Sequence, residues 1–585
     1  MNGRPERQFL QRVRPAGLPG AGPLYVRRSP AADGAPAFST GTYMNIFHQK
    51  NWRRLTGLSD FTLELRDSAA GKLEVLSSVG PAEVKVAAGR RLSGSGERLV
   101  FNLPAEADFC WFDWTPDDPR DDMPEAFYAA EAPPGLPEVR LALVVATFER
   151  AEDLRRLAGI YQRARRENKE METSSDLYLV NNQPRDARAL ADLAGPGIVL
   201  FHNPVNSGGA GGFSRGAREA VAAGRHTHVV FMDDDITIDP EAWLRTLALL
   251  RNLLPKYRGQ VVAGAMFLRD RPVYCHTAGE AIDRWGFYRN TTGRVELGAL
   301  PETLALLSAL DPDAGFPELD HVPASAPLRP YAGWWYCVVP IGRFKSHGFP
   351  LPLLFRGDDQ EFSLRLGCKI LSLNGICAWH PDIKSKRSDL RNYLEARNHA
   401  IWTTLHVRRW RPSLLGLFAY RLANSLAAND YSSAAIVIQA LADYRNFHQR
   451  RESGVPETEA KLRGCRARFP NDLAGEAPAG LRLIPPAQKG RALGVLAVIL
   501  TLGGALIPGF FWHRGPVRAP FSQIRGKFPS LCVASTHDPA LKKFNRRRAL
   551  VLSLKGLAGL AGFLVPGRLA RKLKRFAAGD PGESP

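Results

Sequence analysis

Between residues 139 and 232 the chain alternates between two hydrophobic rhythms, and this alternation constrains its fold more than any other feature. Val139-Arg-Leu-Ala-Leu-Val-Val145 reads as a buried strand, the text from Glu152 to Lys169 as a helix, and Leu177-Tyr-Leu-Val180 as a second strand. Apolar runs at Ile198-Val-Leu-Phe201 and His228-Val-Val-Phe-Met232 again alternate with helical text. Strands separated by crossover helices pair mostly in parallel, so an α/β sheet is predicted. Such a sheet binds its ligands at the carboxyl ends of its strands, and polar residues just beyond those ends are where chemistry is sought.

A chain of 585 residues exceeds one hydrophobic core and implies about three to four folding units. Before the α/β text, from Gly41 to Trp114, short period-two bursts split by Gly, Ser and Pro predict antiparallel strands in a sandwich or barrel. Its aromatics, ending in Phe109-Cys-Trp-Phe-Asp-Trp114, are expected to pack a core in preference to forming a sugar platform. Ala132-Pro-Pro-Gly-Leu-Pro137 reads as a linker, and after about Asn398 strand signals fade and Trp402 to Arg451 reads as helix. The expected organisation is a β-sandwich or barrel domain over 1–135, an α/β domain over 136–400, and a mainly helical region over 401–585.

The net charge of +20 invites a nucleic-acid reading, but no helix-turn-helix, zinc-finger or RNP pattern accompanies it. Much of the surplus, such as Arg546-Arg547-Arg548 and Arg568, Arg571, Lys572, Lys574 and Arg575, is interleaved with apolar runs near the C-terminus, which suits anionic lipid better. The uncharged stretch Ala492–Trp512 contains four glycines and Pro508, and Ala549–Val565 is interrupted by Lys555, so interfacial or re-entrant seating is expected over firm spanning, with a buried hairpin as the alternative. Seven singly placed cysteines and a start without an apolar leader run predict a reduced compartment, with the protein peripheral on the cytoplasmic face of the inner membrane.

The most specific chemical feature is Phe231-Met-Asp233-Asp234-Asp235, carboxylates directly after an apolar strand. Such carboxylates repel one another unless a cation holds them, so a divalent metal is the natural occupant, with Asp235 the better candidate for direct ligation. The alternative is an acidic turn capping a helix that begins near Pro240. Upstream, Asn206-Ser-Gly208-Gly-Ala-Gly211-Gly-Phe-Ser214-Arg-Gly opens a helix where backbone N–H groups can meet a phosphate, although most such loops are only turns. Its spacing matches neither a P-loop nor a dinucleotide fingerprint. Downstream come Gly333-Trp334-Trp335, offering flat apolar faces to sugars, Asp358-Asp359-Gln-Glu361, whose adjacent carboxylates can divide orienting and proton-abstracting work, and Ala378-Trp379-His380, a credible third metal ligand.

Taken in order, Ala146-Thr147-Phe148-Glu149-Arg150, the Asn206 loop, Phe-Met-Asp-Asp-Asp, His276-Thr-Ala-Gly279-Glu280, Gly-Trp-Trp, Asp-Asp-x-Glu, Ala-Trp-His and Arg397-Asn398 resemble the polymerising galactofuranosyltransferases of the mycobacterial cell-wall galactan, family 2 enzymes of GT-A fold. The resemblance runs from about residue 139 to 400 and extends more weakly to Thr42-Tyr-Met-Asn45 and Trp52-Arg-Arg. It departs at Arg356-Gly357, where that family has Lys-Trp, and in the C-terminal third. It implies a Rossmann-like nucleotide-diphospho-sugar transferase fold, a UDP-galactofuranose donor, a glycan or lipid-linked glycan acceptor, and single displacement with inversion. It further implies Mn²⁺ or Mg²⁺ on Asp233, Asp235 and His380, with Asp359 as general base and Asp358 beside it contacting the acceptor. Trp334 and Trp335 would line the acceptor site, and Thr147, Arg150, Asn206, Asp234 and Glu280 would contact the donor. A relative using dTDP-rhamnose, and a non-catalytic glycan-binding protein, stand as alternatives; self-association into a homo-oligomer is left open. The last alternative would tolerate loss of Asp235, Asp359 or His380, and all three are present.

Overall fold

A computed structural model of the chain describes residues 6–30, 36–66, 69–94, 98–183, 185, 187–310, 328–382, 388–449, 454–476, 502, 532–535, 538–543, 545–563 and 569–578. The first part of the chain folds as two antiparallel sheets. One orders Glu6–Arg12, Glu125–Ala132, Thr62–Arg66 and Leu99–Asn102; the other orders Arg27–Pro30, Pro36–Ser39, Phe109–Pro116, Ala70–Val79 and Glu83–Ser93. Period-two text turns alternate side chains inward, and Leu63 and Leu65 of the first sheet share a core with Leu73, Val75, Phe112 and Trp114 of the second. Phe109, Trp111, Phe112 and Trp114 are at most 1% exposed, so these aromatics pack the interior and present no face to a sugar.

That core continues into the central domain because helix Glu241–Asn252 is buried on nearly every side between them. Arg245, fully buried, pairs with Glu241 at 3.1 Å and donates to the carbonyls of Met44 at 3.1 Å and Asn374 at 2.7 Å. Asn374 donates in turn to Tyr43 and Ile46 at 2.9 and 2.8 Å. The Thr42–Asn45 segment is therefore a rivet between two domains, a structural reason for its recognisable sequence.

The central sheet orders Ile198–His202, Ser175–Asn181, Leu141–Thr147, His228–Asp233, Cys337–Pro340, Val261–Ala263 and Ile370–Leu371. The first four strands pair in parallel, while Cys337–Pro340 runs antiparallel to both neighbours, so the sheet is mixed. One small sheet adds Cys377–His380 beside Ala265–Leu268, and another joins Tyr288–Thr292, Gly279–Ile282 and Arg329–Tyr331.

Helices Asp389–His406, Trp410–Ala427, Tyr431–Arg445, Val455–Arg468, Arg546–Ala561 and Leu569–Ala578 share a separate core that includes Leu394, Phe418, Tyr444, Leu462, Leu552 and Leu573. Of the stretch Ala549–Val565, residues 549–563 are described, and part of their apolar surface packs on the bundle while Leu554 is 52% exposed. Ala549, Leu552 and Leu560 face protein, and Gly556 lets Leu422 so close that a Cβ would lie 2.1 Å from its Cδ2. Ala492–Trp512 lies outside the described residues except for Leu502. Among the described residues no helix is long and apolar enough to cross a membrane.

Candidate active site

Strand His228–Asp233 buries Val229 to Met232 completely and ends with Asp233 at the sheet rim. Asp234 and Asp235 follow, both buried. Thr237 then exchanges two backbone hydrogen bonds of 2.8 Å with Trp379, and this bridge brings His380 against the acidic turn. His380 Nε2 lies 3.2 Å from Asp235 Oδ1 and 3.5 Å from Asp233 Oδ2. One ligand atom from each of Asp233, Asp235 and His380 falls within 4.8 Å of the others. Two carboxylates and an imidazole in this arrangement fit Mn²⁺ or Mg²⁺. The fit extends to the ring's orientation: Nδ1 of His380 donates to the Pro381 carbonyl at 2.6 Å, so Nε2 faces the aspartates and would be the ligating atom once its proton gives way to a cation.

The electrostatics are those of crowded acid. Burial pushes Asp233 up to about 6, with Asp235 and Asp234 adding to the rise and His380 opposing it. For His380, burial alone would lower the pKa, but the hydrogen bond to Asp235 and the charges of both aspartates outweigh it and hold the ring above the usual imidazole value. Thr147 Oγ1 donates to Asp234 at 2.7 Å, and Arg150 reaches Asp234 at 2.7 Å and Asp235 at 2.6 Å. Three of the five residues expected to touch a donor, Thr147, Arg150 and Asp234, thus form one bonded group that borders the metal-ligand set.

Asp358 and Asp359 occupy the first turn of helix Asp358–Leu366, where the exposed N–H groups and the helix dipole favour carboxylates. Asp359 accepts from the Gln360 N–H at 2.8 Å. Burial first, and the Asp359 charge second, push Asp358 well above the carboxylate range; burial likewise lifts Asp359 to about 6 against Gln360 and Arg356. Asp358 also feels the charge of Asp233, so the two acidic groups lie within electrostatic reach of one another. Glu361, next on the same helix, is excluded from proton transfer. It is fully buried, and Arg365 at 2.9 Å and His406 at 3.2 Å outweigh the cost of burial and keep it ionised.

The tandem tryptophans divide. Trp334 is 5% exposed, with its ring against Phe231, Phe213 and Phe362 at centroid distances of 4.9, 5.1 and 6.3 Å. It is a core side chain, and the acceptor face expected of it is corrected on that ground. Trp335 lines a cavity of about 180 Å³ with Glu280, Tyr331 and Gly333. Within that cavity, burial and then the Asp359 charge push Glu280 up to about 8, opposed by the Tyr331 and Tyr288 hydroxyls, and Tyr288 donates to Glu280 at 3.0 Å. Neither tyrosine was anticipated. Tyr331 reaches Glu280 only because strands Gly279–Ile282 and Arg329–Tyr331 pair in that register, which no local pattern announces.

The glycine-rich loop also has a different reason from anion binding. Asn206 Oδ1 accepts from Gly208 N–H at 2.9 Å, and Ala210 N–H is taken by the Leu354 carbonyl at 2.8 Å. Gly208 is left-handed at φ 69°, and a Cβ there would lie 2.3 Å from the Leu354 oxygen; Cβ atoms at Gly212 and Gly216 would lie 2.5 Å from Ala146 and 2.3 Å from Val144. Glycine is needed because this helix lies directly on its strand. Asn206 shapes that loop.

Residues 144–262 match the family model described as glycosyl transferase family 2. The curated galactofuranosyltransferase GlfT2 of Mycolicibacterium smegmatis is 27% identical over 479 residues, covering 77% of this chain and 70% of that protein. Its counterpart from Mycobacterium tuberculosis is 26% identical over 500 residues, covering 80% and 74%. Among solved structures, residues 1–349 of S. aureus TarS with UDP-GlcNAc align at TM-score 0.33 and 12% identity, covering 56% of this chain and 88% of that one. A mannosyltransferase from Pyrobaculum calidifontis with GDP-Man and Mn²⁺ aligns at TM-score 0.29 and 12% identity, covering 56% and 80%. The α/β sheet built around the matched segment, with the acidic turn at a strand end, is the GT-A fold.

Proposed function

We propose that this chain, built around its family 2 match, is an inverting, divalent-metal-dependent glycosyltransferase that moves galactofuranose from UDP-galactofuranose to a hydroxyl of a growing surface glycan. The observation that carries the reading is that two acidic groups lie within electrostatic reach of one another: Asp233, Asp235 and His380 in one, Asp358 and Asp359 in the other. A divalent cation held by the first group would neutralise charge growing on the departing diphosphate. Asp359 removes the proton from the acceptor hydroxyl as its oxygen attacks the anomeric carbon, and UDP leaves from the opposite face. Asp358, beside it on the same helical turn, contacts the acceptor. Trp335 and Glu280 border the sugar-binding cavity, while Arg150 and Thr147 lie where the diphosphate approaches.

The same reading divides the chain at about 135 and 400 and seats it peripherally on the cytoplasmic face of a membrane. Arg571, Lys574 and Arg575 are exposed on helix Leu569–Ala578 while Leu573 is buried in the bundle and Phe576 packs on Phe447, so attachment rests on charge. The test is a donor panel. Purified protein with Mn²⁺ and a galactofuranosyl disaccharide linked to lipid is incubated with UDP-galactofuranose or dTDP-rhamnose, and products are read by mass. Added mass of one or more hexoses from the first donor alone supports the proposal; transfer from dTDP-rhamnose alone replaces the donor assignment.

A further inference from the structure

The loop that delivers Asp358 and Asp359 has a backbone that side-chain-bearing residues rarely adopt. Leu354, Arg356 and Gly357 sit at φ 69°, 67° and 84°. One amide holds the loop in this shape. Asn398, fully buried on helix Asp389–His406, donates from Nδ2 to the carbonyls of Leu353, Phe355 and Arg356 at 2.9, 2.9 and 2.7 Å. Its two amide hydrogens are shared among three acceptors. Arg397 sets the orientation: Nε donates to Asn398 Oδ1 at 2.9 Å, and Nη2 donates to the Leu353 carbonyl at 3.1 Å. The rings of Tyr393 and Phe447 flank the Arg397 guanidinium at 5.4 and 5.6 Å.

The far side of the loop is closed as well. Ala210 N–H takes the Leu354 carbonyl at 2.8 Å, and a Cβ on Gly357 would lie 3.2 Å from the Trp402 ring. The segment is clamped between the Gly208 helix of the α/β domain and the first helix of the bundle. Carboxylates two and three positions beyond Arg356 inherit their direction from it.

We infer that Asn398, oriented by Arg397, is a positioning residue for transfer: it fixes the left-handed loop 354–357 and thereby aims Asp358 and Asp359 at the acceptor hydroxyl. Helix Asp389–His406, which straddles residue 400 and packs with the bundle, is then a working part of the site. This inference rests on the assignment of Asp359 as base.

The test uses the full chain, with Asn398→Ala, Arg397→Lys, Asp359→Asn and the double variant Asn398→Ala/Asp359→Asn. Transfer from UDP-galactofuranose to a galactofuranosyl disaccharide gives kcat and donor KM, calorimetry gives affinity for UDP with Mn²⁺, and a melt gives folding. Asn398→Ala should lose kcat by about a hundredfold, the scale of a misplacement near 1 Å. Donor KM and UDP affinity should stay within about twofold. Arg397→Lys should lose less, about tenfold, and it carries the test if Asn398→Ala does not fold. The double variant should be no slower than Asp359→Asn alone, because an unaimed base and an absent base fail at the same step. Near-normal kcat in Asn398→Ala, or losses that multiply in the double variant, overturn the clamp. Near-normal turnover of Asp359→Asn instead sinks the base assignment, and the same cycle run on Asp358→Asn then decides whether the clamp serves that residue or none.

Discussion

Two acidic groups lie within electrostatic reach of one another, and the protein supports them in opposite ways. Asp233 and Asp235 hang from the end of a sheet strand and are met directly by charge, with Arg150 2.6 Å from Asp235 and His380 3.2 Å from it. Asp358 and Asp359 hang from a left-handed loop held by neutral amides and are met by backbone N–H groups, with Arg356 acting at longer range. Cationic contact opposes the rise that burial imposes on Asp233 and suits a site that holds a metal. Burial raises proton affinity against those N–H groups, which suits a group that must accept a proton near neutral pH. On the proposed reading, the strand end serves charge and the loop tied to the bundle serves proton transfer.

The largest expected effects would break this division if they failed. Asp359→Asn keeps the shape and removes the basicity, so kcat should fall by at least about two orders of magnitude while UDP and Mn²⁺ bind nearly as before. Asp235→Ala and His380→Ala should each cost at least about a hundredfold and, unlike Asp359→Asn, should also weaken Mn²⁺-dependent UDP binding, measured by calorimetry. Full activity in excess chelator would remove the metal from the comparison.

A pH series sharpens it next. Because Asp359 titrates at about 6, kcat/KM should fall roughly tenfold per unit as pH drops below that value. Stability moves the other way. The folded pKa of about 6 lies above the ordinary 3.8, so the folded chain keeps a proton that the unfolded chain has lost. This group's contribution is fully present below about pH 4 and declines as pH rises through 6. Melting Asp359→Asn and the parent at pH 5 and pH 7.5 should show the variant gaining relative stability at the higher pH.

Glu361 supplies the control within the same helix. Glu361→Gln strands Arg365 and His406 in a buried place, and urea unfolding should show a loss of about 3 kcal/mol. Its kcat at permissive temperature should stay within a few-fold, setting it apart from Asp359. The smallest effect concerns the basic face of Leu569–Ala578. Replacing Arg571, Lys574 and Arg575 with Gln should weaken liposome binding by roughly 1 kcal/mol per charge. Binding that survives high salt and these changes would mean that apolar insertion, and not charge, holds the protein there.

Much of this was legible from local text. Apolar runs alternating with helical text announce the sheet, and the acidic triplet after Met232 lies at a strand end, where sheets of this class bind ligands. The same local logic misled at Trp334, since adjacent tryptophans look equivalent until one is found against Phe231.

The sequence by itself determined the alternation of strands and helices, the carboxylates beyond Phe231-Met232, and the aspartate pair, because burial periodicity and strand-end position are properties of neighbouring residues. Only the tertiary structure decided how His380, already a candidate ligand, is carried against Asp235, that Trp335 and not Trp334 meets the cavity, and that Asn398 grips the loop before Asp358. Each of those depends on a pairing between segments far apart in the chain, such as Thr237 with Trp379, and distant pairings are settled by how whole elements pack.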